Sequence, residues 1–212
     1  MLRLIDEGPM LRLYFAPLTR SIRIKWLLEE LGIAHEIVPR QFDPTAPYTG
    51  QDTPSGRYPV LYDGDLMLCE SGAVVQYVLE KYGDGRLQPA IGSPQRAAYL
   101  YWFHFAEAIA AVPINQYVGL AVYNSDPGKH ADMIASARQS TDRVLDSVEA
   151  AITGHSFLVG DAFSGADIMM GFTLWSARML KLLGARHPQT LRYLGELKAR
   201  PAFAKALAEG RS

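Results

Sequence analysis

Residues 11 to 15, LRLYF, alternate apolar and polar as a half-buried strand does, and APLT then breaks the pattern. In the segment RSIRIKWLLEELG, Ile24, Leu27, Leu28 and Leu31 recur at helical spacing, and Gly32 supplies a stop. HEIVPRQF has the β-branched centre of a second strand. The next loop, Asp43 to Ser55, contains three prolines that do not belong in a sheet interior. PVLY and LMLC are two short strands, and near the turn between them stands Asp63-Gly64, a dipeptide favoured in type I′ hairpins because it tolerates positive φ. From Ser71 the apolar positions Val74, Val75, Val78, Leu79 and Tyr82 return to helical spacing and end at Gly83. The predicted order within 11 to 83 is β-α-β-loop-β-β-α.

The pattern then lapses. GDGRLQPAIGSP is rich in Gly and Pro and reads as a linker between compact units. The rest of the chain is helical in pattern. Ser93-Pro94 opens a long aromatic helix that Pro113 is expected to kink or end, and Asp126-Pro127 repeats the same start signal. Met133, Ile134, Ala137, Val144, Leu145 and Val148 carry the next apolar stripe to about Gly154. In FSGADI, Ser164 and Asp167 form a capping box, with Phe163 and Ile168 as the hydrophobic staple around it. The nearly continuous apolar run IMMGFTLWSARMLKLL predicts a buried helix after it, and Pro188 and Pro201 start two shorter ones. The predicted division is a first domain over 1–83, a linker over 84–93 and an all-helical domain over 94–212.

Composition narrows the function more than the fold. The formal net charge is −1 and no basic block exceeds a pair, so neither a nucleic-acid backbone nor an anionic membrane has an electrostatic footprint here. The N-terminus carries acids and a proline where a secretory signal needs an apolar core, and no uninterrupted apolar run approaches the roughly 18 residues of a membrane span. The single cysteine, Cys69, forms no internal disulfide and lies in an apolar strand as a small core residue. A cytoplasmic location is the expectation. The histidines are scattered without metal-ligand spacing, so no metal is expected, and no glycine-rich phosphate loop is present.

Candidate chemistry lies at three places. In APLTRS, Thr19 or Ser21 either caps the helix or offers a hydroxyl to an anion at its positive end. The Tyr58-Pro59 bond is either an ordinary trans bond at a strand start or a cis bond presenting the Tyr58 backbone to an extended ligand. Glu70-Ser71 either starts a helix or binds an α-amino-acid head group, the acid taking the ammonium and the hydroxyl with the helix end taking the carboxylate. Tyr101, Phe105 and Ile109 share one helix face, so with Leu18 they are candidates to line an apolar pocket beside Thr19. Core or subunit interface is the competing assignment.

Taken together, LYFAPLTRSIRIKWLLEELG (13–32), TPSGRYPVLYDGDLMLCESGAVVQYV (53–78) and FLVGDAFSGADI (157–168) resemble the cytosolic glutathione S-transferase family. The chain is most similar to bacterial and fungal members with Ser-Arg-Ser in the first loop, where it has Thr19-Arg20-Ser21. The resemblance implies a thioredoxin-like N-terminal domain (βαβαββα or βαβββα-like), an all-helical C-terminal domain and a homodimer. It also implies glutathione as co-substrate and a hydrophobic small-molecule electrophile as second substrate. Carried over residue by residue, the catalytic hydroxyl falls on Thr19 with Ser21 as rival donor. The cis-proline falls on Pro59, backbone contacts on Tyr58, the γ-glutamyl pair on Glu70 and Ser71, and a contact near the tripeptide on Arg57. The departures are Thr for Ser at 19 and Tyr for Val at 58. A non-catalytic interaction protein on the same scaffold and a glutathione-dependent peroxidase or isomerase are the alternatives. The isomerases usually carry a cysteine in the first loop, which LTRS lacks.

Overall fold

Alternation at Leu11, Leu13 and Phe15 sets one face of β1 (Leu11–Phe15) into the interior, and the remaining strands assemble around it. The computed structural model describes residues 10–41, 43, 53 and 56–210, so most of the proline-bearing loop expected over 43–55 lies outside the described residues. The first half runs β1, α1 (Ser21–Leu31), β2 (His35–Pro39), β3 (Val60–Asp63), β4 (Leu66–Cys69) and α2 (Ser71–Tyr82), as the periodicity predicts. The sheet order is β2-β1-β3-β4, with β1 parallel to β2 and antiparallel to β3. This is the thioredoxin-like arrangement. Helices α1 and α2 contribute Ile24, Leu27, Leu28, Val74, Val75 and Val78 to the core shared with the sheet.

The second half is helical. Helices α3 (Arg96–Phe105) and α4 (Ala111–Tyr117) are joined and extended by π turns at Ala106–Ala110 and Val118–Val122, so a single helix runs over Arg96–Val122. Pro113 does not end it. The turn just before the proline widens, and the Ala111 N–H bonds the Ala106 carbonyl five residues back, the usual way a helix absorbs a break in its ladder. By length and composition this helix is apolar enough to cross a membrane, although Glu107 interrupts its apolar run. Glu107 sits at its middle, ion-paired to Arg23 of the first half. After a short 3₁₀ turn come α5 (Ala131–Ile152), α6 (Gly165–Met179), α7 (Pro188–Lys198) and α8 (Pro201–Ala208).

The capping box at the start of α6 forms as its sequence dictates. Asp167 accepts from the Ser164 N–H at 2.8 Å and from its hydroxyl at 3.0 Å, and also from the Leu158 N–H at 3.0 Å. Tyr193 of α7 donates to the same carboxylate, so one buried acid ties a loop and two helices together. Helix α1 joins the two halves. Its Trp26 ring stacks on Phe203 of α8 with centroids 3.9 Å apart, and it meets α6 at Gly171, where a Cβ would lie 2.9 Å from the indole. Only glycine leaves room for that approach.

Candidate functional site

Strand register brings the three candidate stretches to one end of the sheet. Tyr14 pairs with Val60, and Val60 with Cys69. One step further, the antiparallel pairing sets Pro59 beside Phe15 on one side and beside Glu70 on the other. The first loop, the Tyr58-Pro59 turn and the start of α2 are therefore neighbours, though some fifty residues separate the first from the last.

The first loop leaves β1 through Ala16 and Pro17 and places Leu18 at φ 61°, a conformation that a branched apolar side chain seldom adopts. Leu18 is 66% exposed. The Thr19 hydroxyl donates to the Ala16 carbonyl at 2.7 Å and accepts the Ser21 N–H at 3.2 Å, closing the turn that leads into α1. The Ser21 hydroxyl lies 2.9 Å from it and 3.4 Å from the Ala16 nitrogen. Burial separates the two rivals: Ser21 is fully enclosed, whereas Thr19 is only half-buried beside the exposed Leu18.

The Tyr58-Pro59 bond is cis, the rarer of the two alternatives open in the sequence. Arg57 is exposed and its carbonyl accepts the Thr53 hydroxyl at 3.1 Å. Glu70 has φ 65° and ψ 115°, a second non-glycine residue in an unfavourable region, and its side chain is exposed. Such outliers persist where surrounding structure fixes them, and they concentrate at binding sites. Between Cys69 and α2, the Cys69 thiol is pushed up by burial, with the Glu70 charge adding to the effect, so it is a poor nucleophile.

Ser71 is buried, and its partners form a cluster that reading the sequence did not anticipate. Its hydroxyl accepts from Arg23 Nη1 at 2.9 Å and donates to Glu107 Oε1 at 2.8 Å. The Arg23 guanidinium also pairs with Glu107 and donates through Nη2 to the Met169 carbonyl and the Thr173 hydroxyl, each at 2.9 Å. Burial lowers Arg23 to about 10 despite the opposing pull of Glu107. Burial alone would raise the Glu107 carboxyl, but Arg23, the Ser71 hydroxyl and Arg20 together hold it below the usual range. Glu107 Oε2 lies 2.6 Å from where a Cβ on Gly72 would stand, so any side chain there would displace the Glu107 carboxylate. The available signals were single charges inside apolar runs: Arg23 between Ile22 and Ile24, and Glu107 after YLYWFHFA.

Of Tyr101, Phe105 and Ile109, the last two border a groove that Thr19 does not line. Two residues correspond to about half a turn of helix, so Phe105 and Ile109 face away from Glu107 and from the groups it touches. Phe105 and Ile109, with Val112 and Pro113, border this groove of about 450 Å³ against Arg143, Val144 and Ser147 of α5. Tyr101 is exposed, with its ring against Trp102 and Phe105. Leu18, next to Thr19 in the chain, is the exposed apolar side chain of the first loop. Among the described residues no group of His, Cys, Asp and Glu side chains is arranged to hold a metal ion.

Comparison with known proteins covers both halves. Residues 13–89 match the family model for the glutathione S-transferase N-terminal domain, and residues 112–201 match that for the C-terminal domain. Glutathione S-transferase 3 of Zea mays is 30% identical over 93% of this chain and 93% of its own length. Glutathione S-transferase 3 of Schizosaccharomyces pombe is 26% identical over 91% of this chain and 85% of its own. Among solved structures, a glutathione transferase from Phanerochaete chrysosporium in complex with oxidized glutathione superposes with a TM-score of 0.81. It is 26% identical and covers 97% of this chain and 98% of its own. A glutathione S-transferase from Actinobacillus pleuropneumoniae gives a TM-score of 0.78 at 28% identity, covering 93% and 91%. Matched in sequence through both domains and in structure along nearly its whole length, this chain belongs to the glutathione S-transferase family.

Proposed function

We propose that the protein is a glutathione transferase that joins the thiolate of glutathione to hydrophobic electrophiles. The carrying observation is that Thr19, the cis Tyr58-Pro59 turn and Glu70 at the start of α2 meet at one end of the sheet. In this reading Glu70 binds the γ-glutamyl ammonium, and the first N–H groups of α2 bind the carboxylate beside it. The Tyr58 backbone aligns the peptide, and Arg57 lies near it. Thr19 then donates a hydrogen bond to the sulfur. The thiol proton leaves to solvent, and the sulfur lone pair forms a bond to the electrophilic carbon as that carbon's leaving group departs or its double bond takes up the electrons. Leu18 is the apolar surface nearest the sulfur.

Calorimetric titration of glutathione into wild type and Glu70→Ala tests the head-group assignment. The variant is expected to bind about tenfold more weakly, the loss of one charge-assisted contact. Equal affinity in the two proteins would remove Glu70 from the site. A second reading, a non-catalytic glutathione-binding protein, draws on the 2.7 Å bond that already engages the Thr19 proton at Ala16. Binding without any lowering of the thiol pKa would favour it.

The reading includes a homodimer. Leu66 and Met67 on the β4 hairpin and Leu100 and Tyr101 on α3 are large apolar side chains left exposed, and a second copy is the partner that would cover them. Sedimentation equilibrium is expected to return twice the chain mass, and a monomer at micromolar concentration would rule the dimer out.

A further inference from the structure

Helix α8 belongs to the helical half but lies along α1. From the bottom of α1 upward, Arg200 forks onto Glu30 at 2.6 and 2.8 Å, Lys205 lies 3.1 Å from Glu29, and Glu209 lies 3.7 Å from Lys25. Lys25 is itself held by Glu29 at 2.6 Å and by His35 Nε2 at 3.1 Å. These contacts lead the chain toward the N-terminus of α1. There Gly210, at φ 71°, brings its backbone onto the Pro17 ring, and a Cβ built on it would stand 2.6 Å from Pro17 Cγ. No side chain fits between them. Pro17 stands between Ala16, whose carbonyl holds the Thr19 hydroxyl, and Leu18 with its positive φ. Because the proline ring is fused to the backbone and fixes its φ, a contact on the ring acts directly on the loop.

We propose that the Glu209–Gly210 turn is a positioning element for the reaction: it backs Pro17 and so sets the Leu18–Thr19 loop at the height where the hydroxyl meets the sulfur. The proposal rests on the transferase reading, but its structural part stands apart from it. Among the described residues the turn meets Lys25, Lys205 and Pro17, none of them in the head-group site, so head-group binding is expected to be left out of its reach.

The test uses Gly210→Ala in the full chain. The added methyl either displaces Pro17 or lifts the turn away, and both outcomes end the contact. Steady-state kinetics with glutathione and an activated chlorodinitrobenzene are expected to show kcat reduced about tenfold, since small misplacements of a reacting group are expensive in rate, while KM for glutathione is unchanged. Hydrogen exchange in the ligand-free protein is expected to speed up about tenfold at the Ser21 and Ile22 amides, which bond to Thr19 Oγ1 and the Thr19 carbonyl. Lys205→Ala loosens the same helix without touching Pro17 and is expected to leave both readouts at wild-type values. Unchanged exchange in Gly210→Ala, or faster exchange with unchanged kcat, overturns the proposal, as does a Lys205→Ala variant that matches Gly210→Ala. Should wild type neither bind glutathione nor turn over, the transferase reading fails, and the exchange data still decide whether the turn holds the loop.

Discussion

Thr19→Ala is expected to lower kcat by about 10- to 100-fold and to raise the pKa of enzyme-bound glutathione by about one to two units. A free thiol titrates near 8.5, so only a few per cent is thiolate at pH 7, and the thiolate is the nucleophile. One hydrogen bond to a charged group contributes about 1.5 to 3 kcal/mol, and one pKa unit corresponds to about 1.4 kcal/mol. On the transferase reading, the hydroxyl alone would therefore supply most of the ionisation that the reaction needs. In the structure its proton points to the Ala16 carbonyl and its lone pair receives the Ser21 N–H. Rotation toward the sulfur surrenders the first bond and keeps the second. Thr19→Ser is expected to retain activity, because it keeps the donor and removes the β-branch that stiffens χ1. Thr19→Val separates chemistry from volume: it should match Ala in rate. An ultraviolet thiolate titration of the bound thiol reads the effect directly, and a pKa in Thr19→Ala equal to that of wild type would dismiss the hydroxyl as the activating group.

The stretches legible in the sequence are those whose causes are local. Asp63-Gly64 specifies a hairpin because turn geometry restricts its two residues, and Ser164 with Asp167 specifies a helix start because the two lie three residues apart. What each then touches is not local. The Asp63 carboxylate also collects the Lys81 ammonium at 2.6 Å and the hydroxyls of Tyr77 and Tyr82 at 2.6 and 2.7 Å, which its turn position does not announce. The same limit applies to the apolar face of the long helix. Four-residue spacing says that Tyr101, Phe105 and Ile109 share a face, and says nothing of which neighbour that face meets. Pro113 failed as a stop signal because a widened turn ahead of it kept the neighbouring backbone groups bonded. Ser21 and Thr19 both offer a hydroxyl in the sequence, and their burial and hydrogen-bond partners become distinct only in the fold.

The largest stability effect is expected at a contact that spans 84 residues, between Arg23 and Glu107. Glu107→Ala leaves a guanidinium with no solvent exposure and no countercharge, and its Nε has no partner among the described residues even in wild type. Removing one member of a buried pair costs about 3 to 5 kcal/mol, which for a chain of this size lowers Tm by about 10 °C. Glu107→Gln keeps an acceptor for the Ser71 hydroxyl and isolates the contribution of charge. That contribution carries its own pH signature. The folded-state carboxyl is held below its unfolded value of about 4.3, so on acidification the unfolded chain takes up the proton first. The stabilisation is complete above about pH 5 and disappears as pH falls through the folded value. Thermal unfolding of wild type and Glu107→Gln is therefore expected to differ most at neutral pH and to converge as pH falls through the folded value. Melting temperatures that stay equally far apart across that range would mean that the shape of the side chain, and not its charge, holds Arg23 against Ser71.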